Sequence, residues 1–309
     1  MPKFSVIIPL YNGEKYIARA LDCVKAQTFK DLEVVVCNDG SPDASADIVN
    51  NYIRDNRGLQ IKLVSQKNRG LGGARNTAIR NAEGEYMALL DQDDIWYPNK
   101  LERINEVLEK DPSIDFVCHN EALRKNGVIV QTSSYGPVSP DFYRQLFLKQ
   151  NCLSTSASTF KKELIERVGY FSEDISRIHF VEDYDLWLKM AKTGARFKVI
   201  DDVLGEYVLH EDNFSTNSQT MMYDHEINVL QGHWEEYREK NLVDAFLFSY
   251  RIAYLNLAAA VNSARSNDRG QALNRLLIAM RTNPSVIINF YKYFARFLRN
   301  KKTDERLSV

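Results

Sequence analysis

Cysteine is scarce in this chain of 309 residues, which contains only four cysteines. None of them forms a CxxC pair, and the set is too sparse for a disulfide framework. A disulfide-stapled fold is therefore excluded, and we expect a reducing, cytoplasmic setting. The cysteines are Cys23, Cys37, Cys118 and Cys152.

An excess of charge of one sign is also missing. Forty lysines and arginines stand against 41 aspartates and glutamates, and the formal net charge is -1. A nearly neutral chain has no overall electrostatic field to recruit nucleic acid or an anionic membrane. The sequence therefore predicts no nucleic-acid partner, and any membrane contact must be local.

Long uninterrupted hydrophobic runs are absent too. The first apolar run is too short for a signal peptide, and the most apolar later stretch, 246–261, contains Arg251 and Asn256. A membrane-spanning helix needs about 20 predominantly apolar residues with few or no charges. We therefore expect a protein that does not span a membrane.

What the chain does contain is a regular alternation over 1–112 of short β-branched runs and amphipathic helical patterns. This βαβαβαβ order predicts an α/β fold with a mostly parallel central sheet, helices on both faces, and ligands beyond the carboxyl ends of the strands. The pattern is mixed over 113–217, where we expect a strand over 154–160 and extended segments around a turn over 197–209. It is helical afterwards, with a helical hairpin expected over 245–265 and 269–282. We predict an α/β domain over 1–217 and an all-helical region over 218–309.

The aspartate run, Asp91-Gln92-Asp93-Asp94, directly follows the apolar segment 86–90. In an extended segment residues i and i+2 share a side, so Asp91 and Asp93 can converge on one ion or ligand. Carboxylates are hard ligands that suit Mg²⁺ or Mn²⁺, and such an ion usually shares its shell with phosphate oxygens. The run alone is also compatible with a solvated acidic loop, although the metal-site interpretation is favoured.

Three further polar segments follow predicted strands and can meet the aspartate run at the same edge of the sheet. The ring of Tyr11, after Pro9, could stack on a nucleobase. The carboxylate of Asp39 could accept a hydrogen bond from a base or a ribose, although Asp39-Gly40 is also an ordinary turn pair. In 68–76, glycines allow close approach of a ligand, and Arg75 opens a helix where an anion is favoured.

With these segments in place, the chain resembles a family 2 glycosyltransferase with the GT-A fold. The stretches that carry the resemblance are VIIPLYNGEKYI, QTFKDLEVVVCNDGSPDAS, NRGLGGARNTAI and YMALLDQDDIWYP. It extends over 4–215 and implies a nucleotide-sugar-binding half, 1–112, and an acceptor-side half, 113–217. It further implies an inverting transfer that uses Mn²⁺ or Mg²⁺ and a nucleoside-diphosphate sugar, with UDP leading.

The resemblance also implies roles for individual residues. Asp93 would bind the metal, and Asp183 in the segment 180–188 would be the general base, with Glu182 in reserve. His210 would complete the metal shell, although Val208 stands where family members usually have arginine. The residues that would bind the nucleotide sugar are Pro9, Tyr11, Glu14, Asp39, Asn68, Arg75, Asp91 and Gln92.

Two other functions were weighed against this interpretation. An NAD-dependent oxidoreductase would use Gly70-Leu71-Gly72, but Arg75 occupies the position of the third glycine and the motif follows the third strand instead of the first. A catalytically inactive sugar-nucleotide scaffold predicts damaged acids, whereas Asp91, Asp93 and Asp183 are all present.

The last predicted helix, 285–300, has an aromatic and aliphatic stripe flanked by basic residues. Such a stripe is compatible with peripheral contact through 285–302 at the inner face of the plasma membrane. It is equally compatible with packing on its own domain or on a second subunit of a homodimer. The family resemblance suggests a saccharide or lipid-linked saccharide acceptor in bacterial surface polysaccharide synthesis.

Overall fold

The structure is a computed structural model that describes residues 1–211, 213, 219–237 and 241–286. Its contacts divide the chain into two compact units. The first unit contains every residue singled out above for chemistry. It consists of Met1–Leu146 and Gln150–Asn213, and the second unit consists of Phe147–Lys149 and the described residues of Phe214–Val309.

Within the described residues, the strands of the first unit form a single nine-stranded sheet. The strands are β1 (Phe4–Leu10), β2 (Leu32–Asn38), β3 (Ile61–Ser65), β4 (Tyr86–Leu89), β5 (Ile95–Trp96), β6 (Phe116–Lys125), β7 (Val128–Ser133), β8 (Ser158–Lys161) and β9 (Phe197–Leu209). Their order is β3-β2-β1-β4-β8-β6-β9-β5, and β7 pairs with β6.

The helices before the second unit lie mostly between these strands. They are α1 (Ile17–Lys25), α2 (Ser45–Asp55), α3 (Gly70–Arg80), α4 (Lys100–Lys110), α5 (Phe142–Leu148), α6 (Lys162–Val168) and α7 (Glu182–Lys192). On α1, the buried side chains of Ile17, Leu21 and Val24 recur at helical spacing and join the core. The apolar residues whose spacing predicts this helix are thus the residues that pack it against the core.

The first four strands meet the expectation of a parallel sheet. β1 pairs in parallel with β2 and β4, and β2 pairs in parallel with β3. All seven residues of β1 are buried, which is typical of a parallel strand covered on both faces. Beyond β4 the sheet is mixed, because β8 is antiparallel to β4 and β6 while β9 is parallel to β6.

Three local predictions on the acceptor side differ from the structure. A strand was expected over 154–160, but only Ser158–Lys161 is extended and the residues before it form a turn. The two extended segments expected over 197–209 are one strand, β9. The short strand β5 was not expected, because two residues are too few to carry a periodic pattern.

The second unit is helical over its described residues after 218: α8 (Gln219–Glu236), α9 (Leu242–Arg265), α10 (Arg269–Thr282) and a 3₁₀ turn (Pro284–Val286). The predicted helical hairpin is confirmed, and α9 and α10 begin with side-chain caps from Asn241 and Asp268. The predicted helix 285–300, apart from its first two residues, lies outside the described residues.

One described helix, α9, is long and apolar enough to cross a membrane by length and composition alone. Half of its apolar window is buried inside the protein. Arg251 and Asn256 are among the buried residues of this helix, and Arg251 forms an ion pair with Glu226 of α8. Core helices of globular proteins meet the same criteria, so α9 carries little weight as a membrane span.

Candidate active site

The aspartate run forms a tight turn between β4 and β5. The backbone N–H of Asp94 donates to the carbonyl of Asp91 (3.2 Å). The hydroxyl of Ser156 accepts from the N–H of Asp91 (3.1 Å) and donates to Oδ2 of Asp94 (2.5 Å). The other oxygen of Asp94 accepts from the N–H of Val208 (3.0 Å). The buried carboxylate of Asp94 thus holds the turn against β9.

A buried lysine lies beneath this turn. Lys100 is fully buried, donates from Nζ to the carbonyl of Ser156 (2.7 Å), and lies over the ring of Trp96 at 3.3 Å from its centroid. Burial lowers the pKa of Lys100 well below its usual range, against the opposing effect of Glu121. Burial, and then the neighbouring acids, raises the pKa of Asp94 well above its usual value.

The carboxylate of Asp93 contacts the imidazole of His210, with 2.8 Å between Oδ2 and Nε2. The other ring nitrogen, Nδ1, is 3.2 Å from the hydroxyl of Tyr16, and the two rings stack with centroids 4.5 Å apart. The amide of Asn213 donates to Oδ2 of Asp93 at 3.3 Å. The guanidinium of Arg19 donates to the carbonyl of Asp93 at 2.6 Å.

The Asp93–His210 pair fits a Mn²⁺ or Mg²⁺ ion. Ligands at neighbouring corners of an octahedron with bonds of about 2.1 Å lie about 3 Å apart, which is close to the 2.8 Å observed. In the described part of the chain no group of three or more His, Cys, Asp or Glu side chains converges on a metal position. Two protein ligands suit an ion whose remaining ligands are phosphate and water.

Arg75 lies between two carboxylates. It is 2 % exposed, and its terminal nitrogens reach Asp91 (2.8 Å) and Glu182 (2.6 Å). Burial raises the pKa of Glu182 to about 7, in spite of the opposing charge of Arg75. Burial likewise raises the pKa of Asp91. Arg75 therefore joins the aspartate run to the start of α7.

Replacing Arg75 with leucine should lower the free energy of unfolding by about 3–5 kcal/mol, because it leaves the buried carboxylate of Glu182 and the half-buried carboxylate of Asp91 without a charged partner. The folded-state pKa of Glu182, about 7, already exceeds its usual 4.5. A carboxyl group whose pKa is raised in the folded state makes the free energy of unfolding fall as pH rises through this window. The charge of Arg75 opposes this rise, so its removal should raise the pKa of Glu182 further and make the variant lose more stability than the native protein. The loss should therefore be larger at pH 8 than at pH 5, as measured by urea unfolding.

Arg80→Leu is the matched control on the same helix. Arg80 is 46 % exposed and its nearest approach to Glu173 is 3.8 Å, so we expect a change below about 1 kcal/mol. Equal losses in the two variants, or a loss in Arg75→Leu that does not change with pH, would contradict the buried bridge.

Asp183 is the second residue of α7, and donors fix both of its carboxylate oxygens. The hydroxyl of Thr155 donates to Oδ2 at 2.7 Å, and the N–H of Tyr184 donates to Oδ1 at 2.6 Å. The residue is half-buried. Its neighbour Glu182 is buried and bound to Arg75, so the two adjacent acids have different surroundings.

Gln92 links the aspartate run to the end of β1. Its amide accepts from the N–H of Tyr11 and donates to the carbonyl of Tyr11, both at 3.0 Å. A Cβ on Gly13 would lie 2.5 Å from the amide oxygen of Gln92, so a side chain at this position would displace the amide of Gln92. The side chain of Tyr11 remains exposed beyond the buried Pro9 of β1.

Asp39 follows β2 and is buried, with its Oδ1 accepting from Nε2 of Gln66 (2.6 Å) and from the N–H of Arg69 (2.9 Å). Two of the other predicted binding residues make local contacts. Oδ1 of Asn68 accepts from the N–H of Gly70 at the start of α3 (3.1 Å). Glu14 accepts from the N–H that precedes α2 (3.2 Å).

The structure therefore connects eight of the sequence-predicted residues through side-chain contacts or adjacency: Tyr11, Arg75, Asp91, Gln92, Asp93, Glu182, Asp183 and His210. Asp91 and Asp93 have different partners, since Asp91 binds Arg75 and Asp93 contacts His210. The spacing i, i+2 had predicted that the two carboxylates could converge on one ion or ligand. Sequence reasoning missed Tyr16, Arg19, Thr155, Ser156 and Asn213. Asn213 alone had a local signal, since it follows His210 by three residues in a polar loop.

A sequence model of the family described as glycosyl transferase family 2 matches residues 5–169, more than half of the chain. An uncharacterized glycosyltransferase from Nostoc sp. is 37% identical over 171 residues, covering 54% of this chain and 53% of the relative. A chondroitin synthase from Escherichia coli is 30% identical over 231 residues, covering 74% and 32%. The chain thus spans between about a quarter and three fifths of the length of the curated relatives it matches.

Solved structures show the same fold at low identity. TarS 1-349 of S. aureus, solved in complex with UDP-GlcNAc, is 21% identical with a TM-score of 0.61, covering 89% of this chain and 90% of that one. The mannosyltransferase PcManGT from Pyrobaculum calidifontis, in complex with GDP-Man and Mn2+, is 22% identical with a TM-score of 0.63, covering 96% and 80%. The predicted GT-A architecture with a helical C-terminal region is confirmed. This chain belongs to glycosyl transferase family 2.

Proposed function

We propose that this protein is an inverting, metal-dependent glycosyltransferase that moves a sugar from a nucleoside-diphosphate sugar to an acceptor hydroxyl. The observation that carries the proposal is a continuous connection between two kinds of site. Asp91, in the run that contains the metal-type ligand Asp93, binds Arg75; Arg75 binds Glu182, which adjoins Asp183. Donor and acceptor chemistry would thus be held in one arrangement.

Asp183 is proposed as the general base. A sugar hydroxyl is a weak nucleophile until a positioned group takes its proton. The donors Thr155 and Tyr184 set the direction of the Asp183 carboxylate, which keeps lone pairs for a substrate proton. The activated hydroxyl would attack the anomeric carbon opposite the departing nucleoside diphosphate, so the configuration inverts.

Asp93 and His210 are proposed to hold Mn²⁺ or Mg²⁺. A bound ion supplies charge stabilisation to the departing diphosphate. Tyr16 contacts Nδ1 of His210 and thereby leaves Nε2 toward Asp93, as outer partners of metal-binding histidines commonly do. Arg75, whose charge is shared between two carboxylates, is proposed to position them instead of binding phosphate itself.

UDP is proposed as the nucleotide. Oδ1 of Asp39 is engaged by Gln66 and Arg69, and a carboxylate fixed in this way suits the imide N–H of uracil. Thymine presents the same edge, so a TDP-sugar is the nearest competitor. TarS in complex with UDP-GlcNAc supports the uridine nucleotide, whereas the mannosyltransferase was solved with GDP-Man.

A donor-hydrolysis screen tests the function. Purified protein is incubated with a panel of UDP-, TDP- and GDP-sugars in the presence of Mn²⁺, Mg²⁺ or a chelator, and free nucleoside diphosphate is measured. We expect release from UDP-sugars that requires the metal. NAD binding without metal, or no turnover of any donor, would contradict the proposal, and the second result would favour an inactive scaffold.

The acceptor is proposed to be a saccharide or lipid-linked saccharide, used in surface polysaccharide or glycolipid synthesis in the cytoplasm or at the inner face of the plasma membrane. The chondroitin synthases among the relatives support a polysaccharide product. The basic aromatic sequence of 285–302 supports a peripheral membrane contact. Unchanged membrane fractionation after deletion of 285–309 would remove that support.

A further inference from the structure

Three consecutive hydroxyl residues, Ser154-Thr155-Ser156, lie in the turn before β8, where a strand was expected. We call this segment the hydroxyl turn. The N–H of Ser158 donates to the carbonyl of Thr155 at 2.9 Å, and the hydroxyl of Ser158 donates to the carbonyl of Ser154 at 2.5 Å. These two bonds keep the chain folded back and give neighbouring side chains different targets.

Ser156 binds the donor side. It is 1 % exposed, and its hydroxyl makes the two bonds to the aspartate run described above, to the N–H of Asp91 and to Asp94. Its carbonyl accepts from the buried Lys100 and from Nε1 of Trp96. Because the hydroxyl and the carbonyl of Ser156 are both engaged in the buried interior, the aspartate run has little freedom to move relative to the hydroxyl turn.

Thr155 binds the acceptor side. Its hydroxyl donates to Oδ2 of Asp183 at 2.7 Å. A hydrogen bond from a neutral donor to a carboxylate is short and strong, and it selects one orientation of the side chain. Thr155 and Ser156 are adjacent, so their Cα atoms lie about 3.8 Å apart. One peptide unit therefore separates the anchor of Asp183 from the anchor of Asp91.

We propose that the hydroxyl turn fixes the general base relative to the donor site, with Thr155 as a positioning residue that acts through Asp183. The proposal rests on the function proposed above. Transfer requires the base, the acceptor oxygen and the anomeric carbon to be aligned within a narrow range, and small displacements cost rate. A second, longer connection runs through Arg75 and Glu182 and ends at the same helix, α7. Among the hydrogen bonds of the described residues, the bond from Thr155 is the only one that reaches an oxygen of the Asp183 carboxylate from outside α7.

The test is Thr155→Val, which keeps the shape and removes the donor. Because hydrogen bonds to charged groups are worth about tenfold or more in a rate or equilibrium constant, we expect kcat for transfer to fall about tenfold or more. UDP affinity and the donor KM should stay unchanged. Thr155→Ser, which restores the hydroxyl, should recover most of the lost kcat.

Thr159→Val is the matched control. Thr159 is a buried residue of β8 whose hydroxyl has no hydrogen-bond partner among the described residues, so its removal should leave kcat unchanged. A second comparison uses the Asp183→Asn background, where Thr155→Val should have no further effect because the group through which it acts is gone. This comparison also distinguishes positioning from destabilisation, because a loss of stability caused by Thr155→Val would lower activity in the Asp183→Asn background as well.

Wild-type kcat in Thr155→Val, or a Thr155→Ser variant as slow as Thr155→Val, would overturn the positioning role while the transferase function stands. An undiminished effect of Thr155→Val in the Asp183→Asn background would overturn it too. A wild-type protein that turns over no donor would overturn the function and this inference together.

Discussion

Replacing Asp183 with asparagine should lower kcat for sugar transfer by about 10²–10⁴-fold, the usual contribution of a general base. Asparagine preserves the size of the side chain, but it has one acceptor oxygen where the carboxylate has two, and Thr155 and Tyr184 bind separate oxygens in the native protein. The change therefore removes the basicity together with one of the two hydrogen bonds that orient the side chain. Steady-state kinetics with the donor found by screening would measure the loss, and calorimetry with UDP should show unchanged affinity.

Glu182→Gln is the informative companion to this variant. Glu182 is buried and bound to Arg75, so its replacement should lower the free energy of unfolding. The kcat of the molecules that remain folded should fall much less than in Asp183→Asn. If Asp183→Asn kept near wild-type kcat while Glu182→Gln lost it, the base would be Glu182 and the assignment would be reversed.

Replacing Asp93 with alanine should lower kcat/KM for the donor by about 10³-fold or more, since charge stabilisation by a metal is worth several kcal/mol. Of the two proposed metal ligands, whose Nε2 and Oδ2 atoms are 2.8 Å apart in the native site, only His210 would remain. Addition of Mn²⁺ should then no longer strengthen UDP binding. Calorimetric titration of UDP with and without Mn²⁺ would measure that linkage in both proteins.

Asp201→Asn serves as the control for Asp93→Ala. Asp201 is an exposed acid on β9 outside the proposed site, so kcat/KM and the Mn²⁺ dependence of UDP binding should match the native protein. Retention of Mn²⁺-dependent UDP binding by Asp93→Ala would rule out Asp93 as a metal ligand.

The donor half of the fold could be predicted because its signals are local. The strands β2 and β4 are largely apolar runs that polar residues follow, and Asp39 and the aspartate run stand at those ends. Parallel strands bring such ends to one edge of the sheet. Strand ends are therefore enough to predict Asp39 and Asp91 as site residues, and the glycine-rich start of a helix predicts Arg75.

The supporting residues could not be predicted in this way, since their partners are distant in sequence. Ser156 binds the aspartate run across 65 residues and Tyr16 meets His210 across 194. Ser156 lies between residues that favour strands, such as Thr155, Thr159 and Phe160, so the composition of 154–160 favoured a strand over the observed turn. Only the three-dimensional arrangement assigns these side chains to the site.

The pairing of β9 with the short strand β5 determines where His210 lies. Glu206 is opposite Ile95 in the ladder, the N–H of Val208 binds Asp94, and His210 meets Asp93. Every second residue of this stretch, from 206 to 210, thus contacts one of the consecutive residues 95, 94 and 93, in that order. Because strand side chains alternate with a period of two, inserting one residue after Glu206 would turn the imidazole to the opposite face and displace it by about 3.3 Å. Length changes in this stretch are therefore far less tolerable for activity than substitutions of its exposed side chains, and an engineered loop should begin only after Asn213.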